Sequence, residues 1–309
     1  MILHEVGMRD GLQVEQAVVP LETKIAWVER LLASGVDLIQ AGSFVNPTLV
    51  PQMADTDALF RHFAALPGAR ARLSALVLNE KGLARGLEAG AGYFCMGVSA
   101  SDTHSRKNTG MGTEEAIVRV LAMARDARGA GAGVQLSVQS AFGCGYERHV
   151  PGSRVLEIAG RFLEDGFRAI SLADTAGHAS PLQVRRLFGA ILHAAPDAAC
   201  ACHFHDTYGL AMANAAAAME VGVRSFESAF AGLGGCPFTA VAGGNLCTED
   251  FVHLLQREGL RHDVDLDALI GVAREAETFF GRALPGVIHR TGPIPATGGL
   301  KAGGDTSQM

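Results

Sequence analysis

Charge is sparse in this chain and aromatic rings are few: 19% and 6% of 309 residues, with a single tryptophan. No run of Lys and Arg reaches nucleic-acid-binding density, and the formal net charge is −6, so a DNA or RNA partner is excluded. The six cysteines, at 95, 144, 200, 202, 236 and 247, form no CxxC, which excludes a zinc knuckle and a thioredoxin-type redox site. No apolar run is long enough for a bilayer, so no membrane partner is expected. Met1 runs almost directly into the first β-like stretch, leaving no room for a targeting segment. Reduced thiols in a cytoplasmic protein are the expectation. No repeat is visible beyond an alternation of short strands and helices. What is abundant is apolar: 48% of residues, enough for a large folded core and against disorder.

The alternation sets the fold class. Short β-rich runs bounded by turn residues predict strands at 2–6, 37–41, 72–78, 93–98, 134–140, 169–172, 199–205 and 225–229. Apolar residues at three-to-four spacing predict helices at 23–33, 80–88, 113–128, 153–165, 180–194, 210–221 and 248–257. Gly35, Gly90, Gly166 and Gly222 follow helices in the position that favours a left-handed residue. Eight strands alternating with helices predict a (β/α)8 TIM barrel, as α/β class, over residues 1–282. The runner-up is a doubly wound open sheet, weakened by the absence of GxGxxG after the first strand. Residues 283–309, broken by Pro285-Gly286 and rich in Gly, Pro, Thr and Ser, are expected to form a partly flexible C-terminal extension.

Within that frame, Cys202-His203-Phe204-His205-Asp206 is the most informative segment. Strand side chains alternate, so His203 and His205 share a face. At the C-terminal end of a barrel strand, they make a ready pair of imidazole ligands for a divalent metal. Two histidines satisfied by backbone carbonyls are the alternative. Other polar residues gather at strand ends: Arg9, Asp10 and Gln13 after the first strand; Gln40 and Ser43 after the second; Ser101 and His104 after the fourth; Asp174 and Thr175 after the sixth. A glycine loop, Gly232-Leu233-Gly234-Gly235-Cys236-Pro237, follows the eighth and leads to Asn245. One carboxylate, two imidazoles and one amide form a mixed N/O set that suits Mg²⁺ or Mn²⁺ as a Lewis acid.

These motifs, in this chain order, resemble the 3-hydroxy-3-methylglutaryl-CoA lyase family within the DRE-TIM metallolyases. The carrying segments are 5–13, 43–47 with 50–53, 170–175, 203–209, 231–237 and 244–250. Cys236 in the glycine loop marks the lyase branch. The resemblance implies that Asp10, His203, His205 and Asn245 hold the metal. It implies that Arg9 neutralises a developing enolate oxygen, that Cys236 is the catalytic thiol, and that Gln13 and Asp174 support the ligands or the proton path. His203 is counted among the catalytic residues with Arg9, Asp174 and Cys236. Gln13, Gln40, Ser43, Ser101, His104 and Thr175 join Arg9 as substrate-contacting positions. The implied reaction is retro-Claisen cleavage of an acyl-CoA to a keto product and acetyl-CoA, with a place in leucine degradation and a possible homodimer.

Three positions depart from the family pattern. Gln40 stands where a Glu is usual, Ala173 where a Gly is common, and His104 where many relatives carry an aromatic or aliphatic residue. Ser101-x-x-His104 also occurs in acyl-CoA condensing synthases, so a lyase acting on another branched 3-hydroxyacyl-CoA, or a condensing synthase, is the alternative. A non-catalytic metal-sensing barrel and an aldolase on free keto acids are the remaining rivals. Retention of the whole residue set argues against the first, and Cys236 against the second.

Overall fold

The computed structural model describes residues 1–66, 72–235 and 243–295. Eight parallel strands close into a barrel in strict chain order. They are β1 (Ile2–Glu5), β2 (Leu38–Ser43), β3 (Leu73–Leu76), β4 (Tyr93–Ser99), β5 (Gly133–Gln139), β6 (Ala169–Asp174), β7 (Ala199–Phe204) and β8 (Ser225–Ser228). All eight predicted strands are present, and β1 pairs with both β2 and β8. The open-sheet alternative is therefore set aside.

Helices cover the outside. They are α1 (Leu21–Ala33), α2 (Thr56–Ala64), α3 (Glu80–Glu88), α4 (Asp102–Thr109), α5 (Thr113–Gly129), α6 (Gly152–Glu164), α7 (Pro181–Ala194), α8 (Ala211–Glu220), α9 (Thr248–Arg257), α10 (Leu266–Phe280) and the short α11 (Ile288–Thr291). Four of these, α2, α4, α10 and α11, lie where no helix was expected. The four helix-ending glycines all have positive φ: Gly35 at 92°, Gly90 at 89°, Gly166 at 81° and Gly222 at 99°. A side chain at those angles would meet the following carbonyl, so glycine fits each turn back to a strand.

Alternation along β7 sorts its residues. Cys200, Cys202 and Phe204 pack in the apolar layer between barrel and helices. His203, on the other face, points into the barrel, where it lines a cavity with His205. The two cysteines thus face away from the histidine pair. Phe204 meets Phe142 of the segment after β5 at 5.8 Å between ring centres, and Phe226 meets Phe251 of α9 at 4.9 Å. The barrel interior, by contrast, is polar: His4, Gln40, Ser74, Gln135, Ser171, His203 and Glu227 are all buried. Interiors of this fold are ordinarily filled by branched aliphatic side chains. A polar filling survives only if its members bond to one another.

Part of the expected C-terminal extension is packed. Leu284 and His289 are buried, and α11 follows the Pro285-Gly286 break. Among the described residues, no helix is long and apolar enough to cross a membrane.

Candidate active site

The turn after β1 places the first two residues. Val6 carbonyl accepts from the backbone N–H groups of Arg9, Asp10 and Gly11 at 3.0, 2.7 and 3.4 Å, winding Gly7–Gly11 into a wide π-type turn. Such turns are rare and recur at functional sites. Glu5 fixes the base of the turn: its Oε1 accepts from Gly7 N at 2.6 Å and Phe230 N at 3.1 Å. A Cβ at Gly7 would sit 2.6 Å from the Phe230 ring and 2.7 Å from Glu5 Oε1, so only glycine fits there. The turn presents Arg9 and Asp10 side by side at the barrel mouth. Arg9 Nη1 donates to Asp10 Oδ1 at 2.6 Å, and its Nε donates to Gln40 Oε1.

Across the mouth, β7 delivers the histidines. Asp10 Oδ2 lies 3.6 Å from His205 Nε2 and 3.8 Å from His203 Nε2, and the two Nε2 atoms are 3.0 Å apart. One ligand atom from each of the three residues lies within 4.8 Å of the others. The register of β7 and β8 pairs His203 with Glu227. Glu227 Oε2 sits 3.0 Å from His203 Nδ1, and its Oε1 accepts from Gln135 Nε2 at 2.6 Å and Ser171 Oγ at 2.9 Å. A carboxylate at Nδ1 takes that nitrogen's proton as its donor and leaves the Nε2 lone pair facing Asp10. Two imidazole nitrogens and a carboxylate oxygen converging in a buried space are the donor set of a divalent metal. The Asp10–His203–His205 cluster is therefore able to hold a metal ion.

The electrostatics agree with this. Burial raises the Asp10 carboxyl, but the Arg9 guanidinium and the two imidazoles outweigh it and hold it well below the usual carboxylate range. Burial also works against a charged Glu227, yet the His203 bond and charge hold it down to about 2. His203 is pushed up despite burial, by Glu227 and Asp10, whereas burial pushes His205 down. A neutral His205 and an ionised Asp10 are the forms in which those ligand atoms bind metal, while the ionised Glu227 accepts from His203 Nδ1.

The cluster lines a cavity of about 280 Å³. Of the residues expected at the site, Arg9, Asp10, Gln13, Gln40, His104, Thr175, His203 and His205 line it. Gln13 Nε2 donates to Asp10 Oδ1 at 3.2 Å. Thr175 Oγ1 accepts from Ser140 N at 3.0 Å. Asn245 touches the cluster from behind: its Nδ2 donates to Asp10 Oδ2 at 2.9 Å and to Leu233 O at 3.0 Å. Its Oδ1 is buried without a hydrogen-bond partner.

Besides Asn245, three expected residues do not line the cavity. Asp174 is fully buried, and its two oxygens accept from His178 N at 2.8 Å and Ala179 N at 3.0 Å, so it shapes the loop after β6 rather than contacting a ligand. Ser43 Oγ donates to Leu76 O at 3.2 Å. Ser101 caps α4, accepting from His104 N at 3.1 Å. Cys236 lies outside the described residues. Conversely, Glu227, Gln135, Ser137, Gln139 and Ser171 line the cavity and were not anticipated. The available signal was a carboxylate in mid-strand, Ser225-Phe226-Glu227-Ser228, whose neighbour Phe226 must face the opposite way. Lys107 stands over the Tyr146 ring at 4.3 Å, while Asn108 lines the cavity.

Comparison with known proteins agrees with this arrangement. The model of the HMGL-like family matches residues 1–275. The hydroxymethylglutaryl-CoA lyase YngG of Bacillus subtilis is 36% identical over 92% of this chain and 94% of its own length. The (R)-citramalyl-CoA lyase of Chloroflexus aurantiacus is 38% identical, covering 94% of each. Among solved structures, an HMG-CoA lyase from Acinetobacter baumannii, in complex with coenzyme A and 3-methylmalate, superposes with a TM-score of 0.89 at 34% identity, covering 95% of both chains. With the barrel closed in this order and the Arg9–Asp10 and His203–His205 pairs meeting at its mouth, the chain belongs to the HMGL-like family and is a carbon–carbon lyase.

Proposed function

We propose that this lyase cleaves 3-hydroxy-3-methylglutaryl-CoA, or a close branched 3-hydroxyacyl-CoA, to a keto product and acetyl-CoA with the help of Mg²⁺ or Mn²⁺. The observation that carries the reading is the meeting of a candidate metal-ligand cluster with the buried Arg9 guanidinium in one cavity. Asp10, His203 and His205 would hold the ion, and Asn245 would join through its unpartnered Oδ1. A metal in that place lowers the pKa of a coordinated hydroxyl. The oxygen-rich share of the set favours Mg²⁺ or Mn²⁺.

The chain's own groups account for the rest. Breaking the bond between the hydroxyl-bearing carbon and the α-carbon turns the hydroxyl into a carbonyl and leaves an electron pair on the thioester as an enolate. Arg9, held by Asp10 on Nη1 and by the neutral Gln40 on Nε, keeps donors available for that enolate oxygen. Acetyl-CoA forms when the enolate carbon takes a proton, and by resemblance Cys236 delivers it. The hydroxyl proton lost and the carbon proton gained balance, so no water or oxidant is consumed. A cytoplasmic setting belongs to the same proposal, supported by five described cysteines that are buried and free, and a place in leucine degradation follows from the family resemblance.

The citramalyl-CoA relative supplies a second reading. Its 38% identity falls within the 36–40% of the hydroxymethylglutaryl-CoA lyases, and Gln40 removes a carboxylate beside Arg9 where the lyase pattern has one. A substrate whose own carboxylate lies one carbon closer to the hydroxyl would meet less repulsion there. Turnover of 3-hydroxy-3-methylglutaryl-CoA and (R)-citramalyl-CoA by one preparation separates the two. A preference above about tenfold in kcat/KM, some 1.4 kcal/mol, assigns the substrate. Turnover only in the condensing direction would reject both.

A further inference from the structure

The loop that leaves β8 is held by the far end of the chain. Ala231, in the 3-10 turn Phe230–Gly232, is buried and left-handed at φ 55°, a conformation costly for a residue with a Cβ. Both of its backbone groups are engaged. Its N–H donates to Glu249 Oε1 and Oε2 at 3.1 and 3.0 Å, and its carbonyl accepts from Gly286 N at 3.0 Å. Glu249, on α9, is fully buried and lies against a fully buried histidine of α11: His289 Nδ1 is 3.0 Å from Glu249 Oε1. The other ring nitrogen, Nε2, is 3.0 Å from Glu277 Oε2 on α10.

Two carboxylates on two ring nitrogens need an N–H on each, which only the imidazolium supplies. The bond to Glu249 and then that to Glu277 push the His289 pKa up. The segment carrying the ring is itself anchored. Leu284 N donates to Glu277 Oε2 at 2.9 Å, Ile288 N to Asp250 Oδ1 at 2.7 Å, and Arg274 Nε to His289 O at 2.6 Å. On the other side, the turn runs into the candidate site. Leu233 O accepts from Asn245, whose same Nδ2 donates to Asp10, and Gly235 lines the cavity. A chain of contacts therefore runs from α10 through His289, Glu249, Ala231, Leu233 and Asn245 to Asp10.

We propose that residues 284–291 act as a strap in which His289, through Glu249, holds Ala231 left-handed and so positions the glycine loop 232–235 against the active site. His289 and Glu249 are positioning residues: neither touches the cavity. The strap reading stands on geometry; only its effect on turnover rests on the lyase reading above.

Hydrogen–deuterium exchange on the full chain, with steady-state kinetics beside it, tests the strap. In His289→Ala the amides of residues 230–235 should exchange about tenfold faster, while those of β7 and β8 keep their protection. On whichever acyl-CoA the wild type turns over, kcat should fall about tenfold with KM within about twofold. Glu277→Gln, on the half-buried side of the ring, should move both readouts in the same direction by less, and it decides the matter if His289→Ala does not fold. Unchanged exchange at 230–235 in a folded variant, or exchange rising equally in every strand, would overturn the strap. Wild-type protein inactive on all acyl-CoA esters would sink the lyase reading while leaving the exchange result to judge the strap.

Discussion

Glu227 stands behind His203, its Oε2 3.0 Å from Nδ1, while its other oxygen accepts from Gln135 and Ser171. That contact decides which nitrogen of His203 faces Asp10. Glu227→Gln keeps the shape but weakens the acceptor. The expected result is a loss of about 10- to 100-fold in metal affinity with the far-ultraviolet spectrum unchanged. Calorimetric titration with Mn²⁺ measures it; wild-type affinity would remove the orienting role.

Two substitutions should separate metal retention from proton delivery. His205→Ala removes one of three converging ligand atoms, so both bound metal and turnover should disappear. Cys236→Ser should keep the metal and lose most of kcat, because the hydroxyl is a far weaker acid than the thiol. Metal analysis of the purified variants beside their kcat values reads both at once. Loss of metal in Cys236→Ser would contradict the split.

Gln40 offers Arg9 a neutral acceptor. Gln40→Glu would put a second negative charge on the guanidinium and restore the pattern of the lyases this chain resembles. The ratio of kcat/KM for 3-hydroxy-3-methylglutaryl-CoA over citramalyl-CoA should rise by about fivefold or more, with Tm shifted only a few degrees. An unchanged ratio would make Gln40 incidental to selectivity.

His4 gives the fold an acid sensitivity of its own. It is fully buried, bonded through Nε2 to Ser74 Oγ at 2.7 Å, and burial lowers its pKa to about 4. An unfolded histidine titrates near 6.5, so between those values the unfolded chain binds a proton that the folded one refuses. Its contribution is present above about pH 6.5 and is lost as pH falls towards 4, by up to about 3 kcal/mol. Urea unfolding of wild type and His4→Gln across that range should show a steeper decline in the wild type. Parallel slopes would place the charge elsewhere.

How much of this was legible in the sequence differs between the barrel and its site. Each strand carries its own turn signals, and the eight emerged in order. Helix α4 was missed because Asp102–Thr109 is wholly polar; its buried residues are His104 and Ser105, and His104 faces the cavity rather than an apolar core. Candidate ligands at strand ends, such as Asp10 and His205, were readable because their spacing is local. Glu227 was not, since its meaning depends on the register that sets β8 beside β7. Asp174 shows the converse: a strand-end carboxylate looks the same in sequence whether it faces a ligand or ties down its own loop, and here two backbone N–H groups take it. The strap was hidden for the same reason, as His289 and Glu249 meet across 40 residues.

The most direct test of the central claim is acetyl-CoA release from 3-hydroxy-3-methylglutaryl-CoA by the purified protein, with Mg²⁺ or Mn²⁺ present and after EDTA. Turnover that EDTA abolishes and either ion restores is the predicted result. Undiminished turnover in EDTA would contradict the role given to Asp10, His203 and His205.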